Sequence, residues 1–169
     1  MEFFEVLEKR FSTRSFRNKE VEEEKIKKIM EAVNSAPSAG NLQSYKVFII
    51  KDKEKKKKLV DASFGQEFIA EAPVVFVFCA EQKNHRYGER GKKLYSLQDA
   101  TIAAAYSQLA ATALGLGSVW VGAFDEKEVL KVLEDLEQLL PIAIIPIGYS
   151  DEKPKQRIRK NLEEIFKEL

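Results

Sequence analysis

Three observations predict an α/β or α+β sandwich: four apolar strands alternate with helices, one helix is long and rich in alanine, and glycine-rich nucleotide fingerprints are missing. The strands are residues 45–50 (YKVFII), 74–80 (VVFVFCA), 118–121 (SVWV) and 141–149 (PIAIIPIGY). There is neither a G-x-G-x-x-G after a strand nor a Walker lysine loop, which disfavours a Rossmann or P-loop core. At 169 residues the chain is long enough to bury a real core, and one domain over 1–169 is expected. No repeat, linker or low-complexity segment is visible.

The organising stretch is residues 94–116, LYSLQDATIAAAYSQLAATALGL. Leu94, Ile102, Tyr106 and Leu109 follow one helical face, and alanines keep the rest of the circumference small. Gln98, Asp99, Thr101, Ser107 and Gln108 interrupt its apolar surface, so a membrane span is the wrong reading. A soluble helix with so little polar surface must be covered on most sides. It is therefore expected at the centre of the domain and against a second subunit.

The other elements follow in order. Residues 2–9 form a short helix with Phe3, Phe4 and Leu7 on one face. Residues 22–36 form a second, with Glu22, Glu23 and Glu24 at its positive end and Ile26, Ile29, Met30 and Val33 as its buried stripe. The charge run 51–58 (KDKEKKKK) opens an amphipathic helix and reads as its solvated face rather than a nucleic-acid patch, because no aromatic residue is interleaved. Gly65-Gln66 opens another short helical piece. The continuous apolar character of 74–80 predicts a central strand buried on both faces. Residues 81–93 have no hydrophobic period and read as a surface loop carrying His85 and Tyr87. Asp125 is a natural N-cap, with Glu128 at the capping-box position. Pro146 implies an edge strand or a bulge. Residues 162–169 close with a short amphipathic helix.

Composition excludes several function classes. Lys+Arg 28 against Asp+Glu 27 leaves a net charge of +1, so there is no global field for nucleic acid or a membrane surface. The single cysteine, Cys79, lies in an apolar strand, which rules out an intrachain disulfide and fits a reducing cytoplasm. The single histidine excludes multi-histidine metal centres and disfavours a serine-histidine triad. No metal site and no catalytic side chain is expected, and any chemistry belongs to a cofactor.

Three segments offer groups to a ligand, each with a plain structural alternative. In Arg10-Phe11-Ser12-Thr13-Arg14, guanidinium groups and hydroxyls suit a phosphate, although a solvated basic turn has the same composition. The uncharged loop 37–44 (PSAGNLQS) offers backbone groups and the amides of Asn41 and Gln43 to a polar ring edge, or simply joins helix to strand. Gly122, between a strand and a helix start, allows close approach to backbone N–H groups or makes a tight turn.

Together these pieces resemble the FMN-dependent nitroreductase family. The motifs run in the family's order: R-x-S-x-R at Arg10, Ser12 and Arg14; A-P-S-A-x-N-x-Q at residues 36–43; Ala72-Pro73; G-L-G-S-x-W at 115–120; and a late G-Y strand end followed by Arg157 and Arg159. The resemblance implies an α+β fold with a central, mostly antiparallel sheet flanked by helices. It also implies an intertwined homodimer whose core contains the long helix. Arg10, Phe11, Ser12 and Arg14 would hold the FMN phosphate and ribityl chain, with Arg157 and Arg159 adding charge. Pro37, Ser38, Ala39 and Asn41 would come from the other subunit, with Gln43 supporting that loop. Gln66 would read the pyrimidine edge of the flavin, and Gly122 and Ala123 would face N5. Where some members carry a lysine near flavin N1 and O2, this chain has Ile69. The activity implied is hydride transfer from NADH or NADPH through FMN to a nitroaromatic, a quinone or a related small acceptor. The alternative is a non-catalytic FMN-binding protein for storage or sensing. Neither nucleic acid nor membrane is an expected partner.

Overall fold

The computed structural model describes residues 1–83, 86–134, 138–154 and 158–169. Its sheet has four strands in the order β1-β2-β4-β3: β1 Tyr45–Ile50, β2 Val74–Glu81, β3 Gly117–Ser118 and β4 Leu139–Gly148. Every pairing is antiparallel, which gives the α+β sheet the family resemblance implies. β2 and β4 are the inner strands, and β2 is buried along Val74–Ala80, as its unbroken apolar run requires.

Alternation along the strands separates two cores. Val74, Phe76 and Phe78 of β2, with Ala143, Ile145 and Ile147 of β4, pack against α2 (Glu23–Asn34) and α6 (Ser96–Ala113). Val75, Val77, Cys79 and Ile144 face the opposite way, towards α3 (Lys53–Ala62), α4 (Phe68–Glu71) and α7 (Glu126–Leu133). The sheet is thus sandwiched between two helical layers. α1 (Phe3–Lys9) buries only Val6, while Phe3, Phe4 and Leu7 are exposed.

α6 is the long helix, but its limits move from the expected 94–116. A helical turn at Gly88–Arg90 (α5) and a π-helical segment Gly91–Tyr95 lead into it, within what the sequence presents as a surface loop. It ends at Ala113, where Gly115 adopts φ +75° and Leu116 N–H donates to the Ala111 carbonyl at 2.8 Å. That is a glycine-dependent helix stop, and it releases the chain into β3. Ala100, Ala103, Ala104 and Ala111 are fully buried, whereas Tyr106 is 38% exposed. Small residues let α6 lie close to the sheet; the large ones do not fill its inner face. His85 lies outside the described residues.

Three further expectations are corrected. Met30 is exposed rather than part of the buried stripe. Lys56, within the supposedly solvated charge run, is buried. Pro146 sits on an inner strand, opposite Val75. Ile144, two residues before it, exchanges both backbone hydrogen bonds with Val121 at 3.0 Å, so Pro146 also turns its N-side towards β3. The β3 ladder is interrupted between Ser118 and Val121, so the missing N–H costs no sheet bond. An irregularity does occur in β4, between the partners of Phe78 and Cys79. Asp125 caps α7 as expected, accepting from Lys127 N–H and Glu128 N–H at 2.9 and 3.1 Å.

Candidate functional site

The arginine segment is stitched to the β3 edge of the sheet. Ser12 forms a parallel bridge with Ser118, and Thr13 N–H donates to the Ser118 carbonyl at 3.1 Å. Further on, Phe16 bridges Ser150 and Arg17 N–H donates to the Tyr149 carbonyl at 2.9 Å. Arg14 N–H donates to a Glu152 carboxylate oxygen at 2.5 Å. These bonds fix an otherwise irregular segment, leaving Arg14 exposed and Arg10, Phe11 and Ser12 half-buried. Thr13 points inwards and is fully buried against Gly117, with no room for a larger residue at 117. Thr13 Oγ1 and Ser118 Oγ are buried without a hydrogen-bond partner. The polar chemistry expected of 10–14 is therefore anchored by a residue pair, Thr13 and Gly117, that the motif does not single out.

The same edge carries the second group. After the Val121–Ile144 bridge the chain emerges at Gly122 and Ala123, both exposed. The Gln66 amide nitrogen donates to the Ala123 carbonyl at 3.1 Å and to the Ser63 carbonyl at 3.0 Å, tying the α3–α4 connection to this turn. Asp125 N–H reinforces the tie by donating to the Ala62 carbonyl at 2.8 Å. Gln66, Gly122 and Ala123 are thus together. Gln66→Ala should lower stability by about 1 kcal/mol, the usual net worth of such a bond; thermal unfolding checks this. Ile69 is fully buried in the core shared with α3 and α7, so the position contributes packing.

The third group is the loop before β1. Gly40, Asn41 and Gln43 all have left-handed φ, at +59°, +57° and +49°. For the two non-glycine residues such a conformation persists only where surroundings enforce it. Part of the enforcement is local: Gln43 N–H donates to Ser38 Oγ at 3.0 Å and Asn41 N–H to the Ser38 carbonyl at 3.1 Å. The rest comes from Asp99 in the first turn of α6, only 2% exposed, whose carboxylate accepts from Ala39 N–H at 2.9 Å and from Ser44 N–H at 3.4 Å. Asp99 also acts on Tyr45, whose hydroxyl pKa is pushed up first by burial and second by that negative charge. Tyr87 closes over Gly40 so tightly that a Cβ at 40 would lie 2.4 Å from its hydroxyl. Pro37, Ser38 and Ala39, with Gln98, Asp99 and Ile102 of α6, border an open cleft of about 680 Å³. Asp99 escaped the sequence reading. The available signal was that it is the one acid in the whole 94–116 stretch.

Within one chain these groups do not converge. Ser118, which holds Ser12, pairs with Ile147, and Ile147 pairs with Val74 at the start of β2. Tyr45, which follows the loop, pairs with Ala80 near the other end of β2. The two levels are six residues apart, or ~20 Å at ~3.4 Å per residue. β1 and β3 also form opposite edges, separated by ~14 Å at ~4.8 Å per strand spacing. The arginine segment and the loop 37–44 thus occupy diagonally opposite corners of the sheet, while Gln66, Gly122 and Ala123 share the arginines' edge but lie further along it, past the Val121–Ile144 bridge at the level of Val77. Arg157 lies outside the described residues. Arg159 is on a tail whose described residues 158–169 are all exposed, and the chain does not fold it back onto the others.

Among the described residues no group of acidic, histidine and cysteine side chains could hold a metal ion, and no helix is long and apolar enough to cross a membrane. A nitroreductase family model matches residues 7–67 and 62–149. A putative NADH dehydrogenase/NAD(P)H nitroreductase of Archaeoglobus fulgidus is 35% identical over 85% of this chain and 83% of its own length. An FMN reductase [NAD(P)H] of Bacillus subtilis is 31% identical over 88% of this chain, which spans 66% of that relative. The solved structure of an FMN-dependent nitroreductase from Clostridium difficile superimposes with a TM-score of 0.79 at 33% identity, covering 95% of this chain and 92% of that one. With a family model spanning most of the fold and relatives of this similarity, the chain is an oxidoreductase of the nitroreductase family.

Proposed function

We propose that two copies of this chain form two FMN sites, each built from the β3 edge of one copy and the 37–44 loop of the other, and that the dimer oxidises NADH or NADPH. The supporting observation is the diagonal placement of the two halves. Each chain carries both, yet holds them ~20 Å apart along the sheet and ~14 Å apart across it, so a site that uses both draws on two copies. The exposed Phe3, Phe4 and Leu7 of α1 and the exposed Leu162, Ile165 and Phe166 of the tail provide apolar surface for that partner.

The donor set fits FMN. Arg10 and Arg14 supply fixed positive charge for a phosphate, and Ser12 supplies a hydroxyl. The exposed backbone at Gly122 and Ala123 is open to a flat ring, with Gln66 beside it to read a polar edge. From the other copy, the loop brings neutral amides and no charge. When bound, FMN supplies two-electron chemistry, accepting hydride from the nicotinamide and delivering it to a nitroaromatic, quinone or related acceptor. The protein's own contribution is positional. Asp99 holds the loop, Gln66 holds the 122–123 turn, and the Ser12–Ser118 bridge holds the arginines at a fixed level of the sheet. No side chain is needed as acid or base.

FMN-loaded protein mixed anaerobically with NADH or NADPH tests the reading. Rapid loss of the oxidised-flavin absorbance, followed by recovery on adding a quinone or nitroaromatic, is the expected result. Bleaching by dithionite alone would identify a flavin carrier instead.

A further inference from the structure

Among the described residues Lys56 is the buried cation, and the proposed function does not use it. It is 6% exposed, and its ammonium donates to the Ala72 carbonyl at 2.6 Å, at the C-terminal end of α4. An ammonium has three donors. Among the described residues no second acceptor and no carboxylate within ion-pair distance serves Lys56. A buried charge left without a counter-ion is costly, by several kcal/mol in general. Burial does press the Lys56 pKa down, with the charge of Glu20 opposing it.

The surroundings relieve that charge only in part: Glu20 and Asp52 favour the charged form, while Lys53 opposes it. Lys56 lines a cavity of about 350 Å³ between the 16–20 segment, the N-terminal half of α3 and the α4–β2 connection. Arg17, Lys19, Lys53 and Lys57 share its walls, against the carboxylates of Glu20 and Glu71. Some of these cations have outside partners: Lys57 pairs with Glu54 at 3.0 Å, Arg17 with Asp151 at 3.6 Å, and Lys19 lies over the Tyr149 ring at 3.9 Å. Those are exposed contacts of little worth, and the cations can turn inwards at small cost. In a chain whose net charge is only +1, a cavity with five cations and two carboxylates is a local concentration.

We propose that this cavity binds a phosphate-type oxyanion, with Lys56 as its buried counter-ion and Lys53 and Lys57 closing over it from α3. The site takes either free phosphate or the phosphate of a small phosphomonoester, for which its volume leaves room. Phe16, whose ring lies against Gly148, forms one of its walls. The proposal does not depend on the flavin assignment.

Isothermal titration of the purified protein, without and then with excess FMN, with inorganic phosphate and separately with glycerol 3-phosphate provides the test, using chloride at matched ionic strength as the blank. Saturable binding of one or both is expected, and the tighter ligand identifies the source. Lys56→Met should reduce the affinity at least tenfold, and the surface double variant Lys53→Ala/Lys57→Ala severalfold, while FMN affinity stays unchanged in both. The double variant keeps the test decisive should Lys56→Met fail to fold. Heats no larger than the chloride blank, full phosphate affinity in the variants, or phosphate displacing FMN would overturn the proposal.

Discussion

Asp99→Ala is expected to raise the dissociation constant for FMN between tenfold and a hundredfold. The Asp99 carboxylate accepts from Ala39 N–H at 2.9 Å and Ser44 N–H at 3.4 Å, and it is almost fully buried. Hydrogen bonds to a charged group contribute roughly 1.5–3 kcal/mol, and each ~1.4 kcal/mol is a factor of ten in affinity. Once the carboxylate is gone, the left-handed conformations at Asn41 and Gln43 lose part of their enforcement, and the loop samples others. Asp99→Asn, which keeps the shape and one acceptor oxygen, should recover part of the loss. Flavin fluorescence titration separates the three proteins. Equal affinity in all of them would show that the loop is positioned without Asp99.

Gly117→Ala should be the most destabilising single methyl addition at the site. A Cβ at 117 would lie 2.4 Å from Thr13 Oγ1, 2.9 Å from Thr13 Cβ and 3.0 Å from Thr13 Cγ2. Thr13 is fully buried, so it has no solvent to swing into. Overpacking of this kind costs about 1–3 kcal/mol, which in a chain of this size lowers the unfolding midpoint by roughly 2–4 °C per kcal/mol. The strain falls on the strand contact that orients Ser12 and Arg14, so FMN affinity should fall along with stability. Thr13→Ala in the same chain removes the two outer contacts and should restore part of both. Thermal unfolding of the single and double variants checks this, and a double variant no better than Gly117→Ala would place the strain elsewhere.

The sheet was readable in the sequence because burial on both faces forces an unbroken apolar run, as at Val74–Ala80. Pro146 misled, because the rule it invokes concerns one missing N–H. The rule says nothing about whether the neighbouring strand has an acceptor there, and β3 stops short of it. Lys56 misled for a related reason: KDKEKKKK shows charge but not which lysine lies on the inner helical face. The helix end was displaced because the apolar stretch continues through Gly115 to Leu116, while left-handed Gly115 ends the helix beforehand.

Candidate site residues are legible in proportion to how local their chemistry is. Arg10, Ser12 and Arg14 form a recognisable motif, and Gln66 with Gly122 and Ala123 follows from the same resemblance. Asp99 carried no motif, since its role depends on a loop some 60 residues earlier in the chain. Least legible was the separation of the arginine segment from the 37–44 loop. It is a property of strand order and register, which residue spacing does not encode.

That separation yields the most direct test of the account. An Arg10→Glu/Arg14→Glu chain and an Asp99→Ala chain should each bind FMN poorly alone. Co-expressed under two different tags and purified as the mixed dimer, they should regain one site of native affinity per dimer, assembled from the intact arginine edge of one and the intact loop of the other. Mixed dimers that bind FMN no better than either parent would contradict a site shared between two copies of the chain.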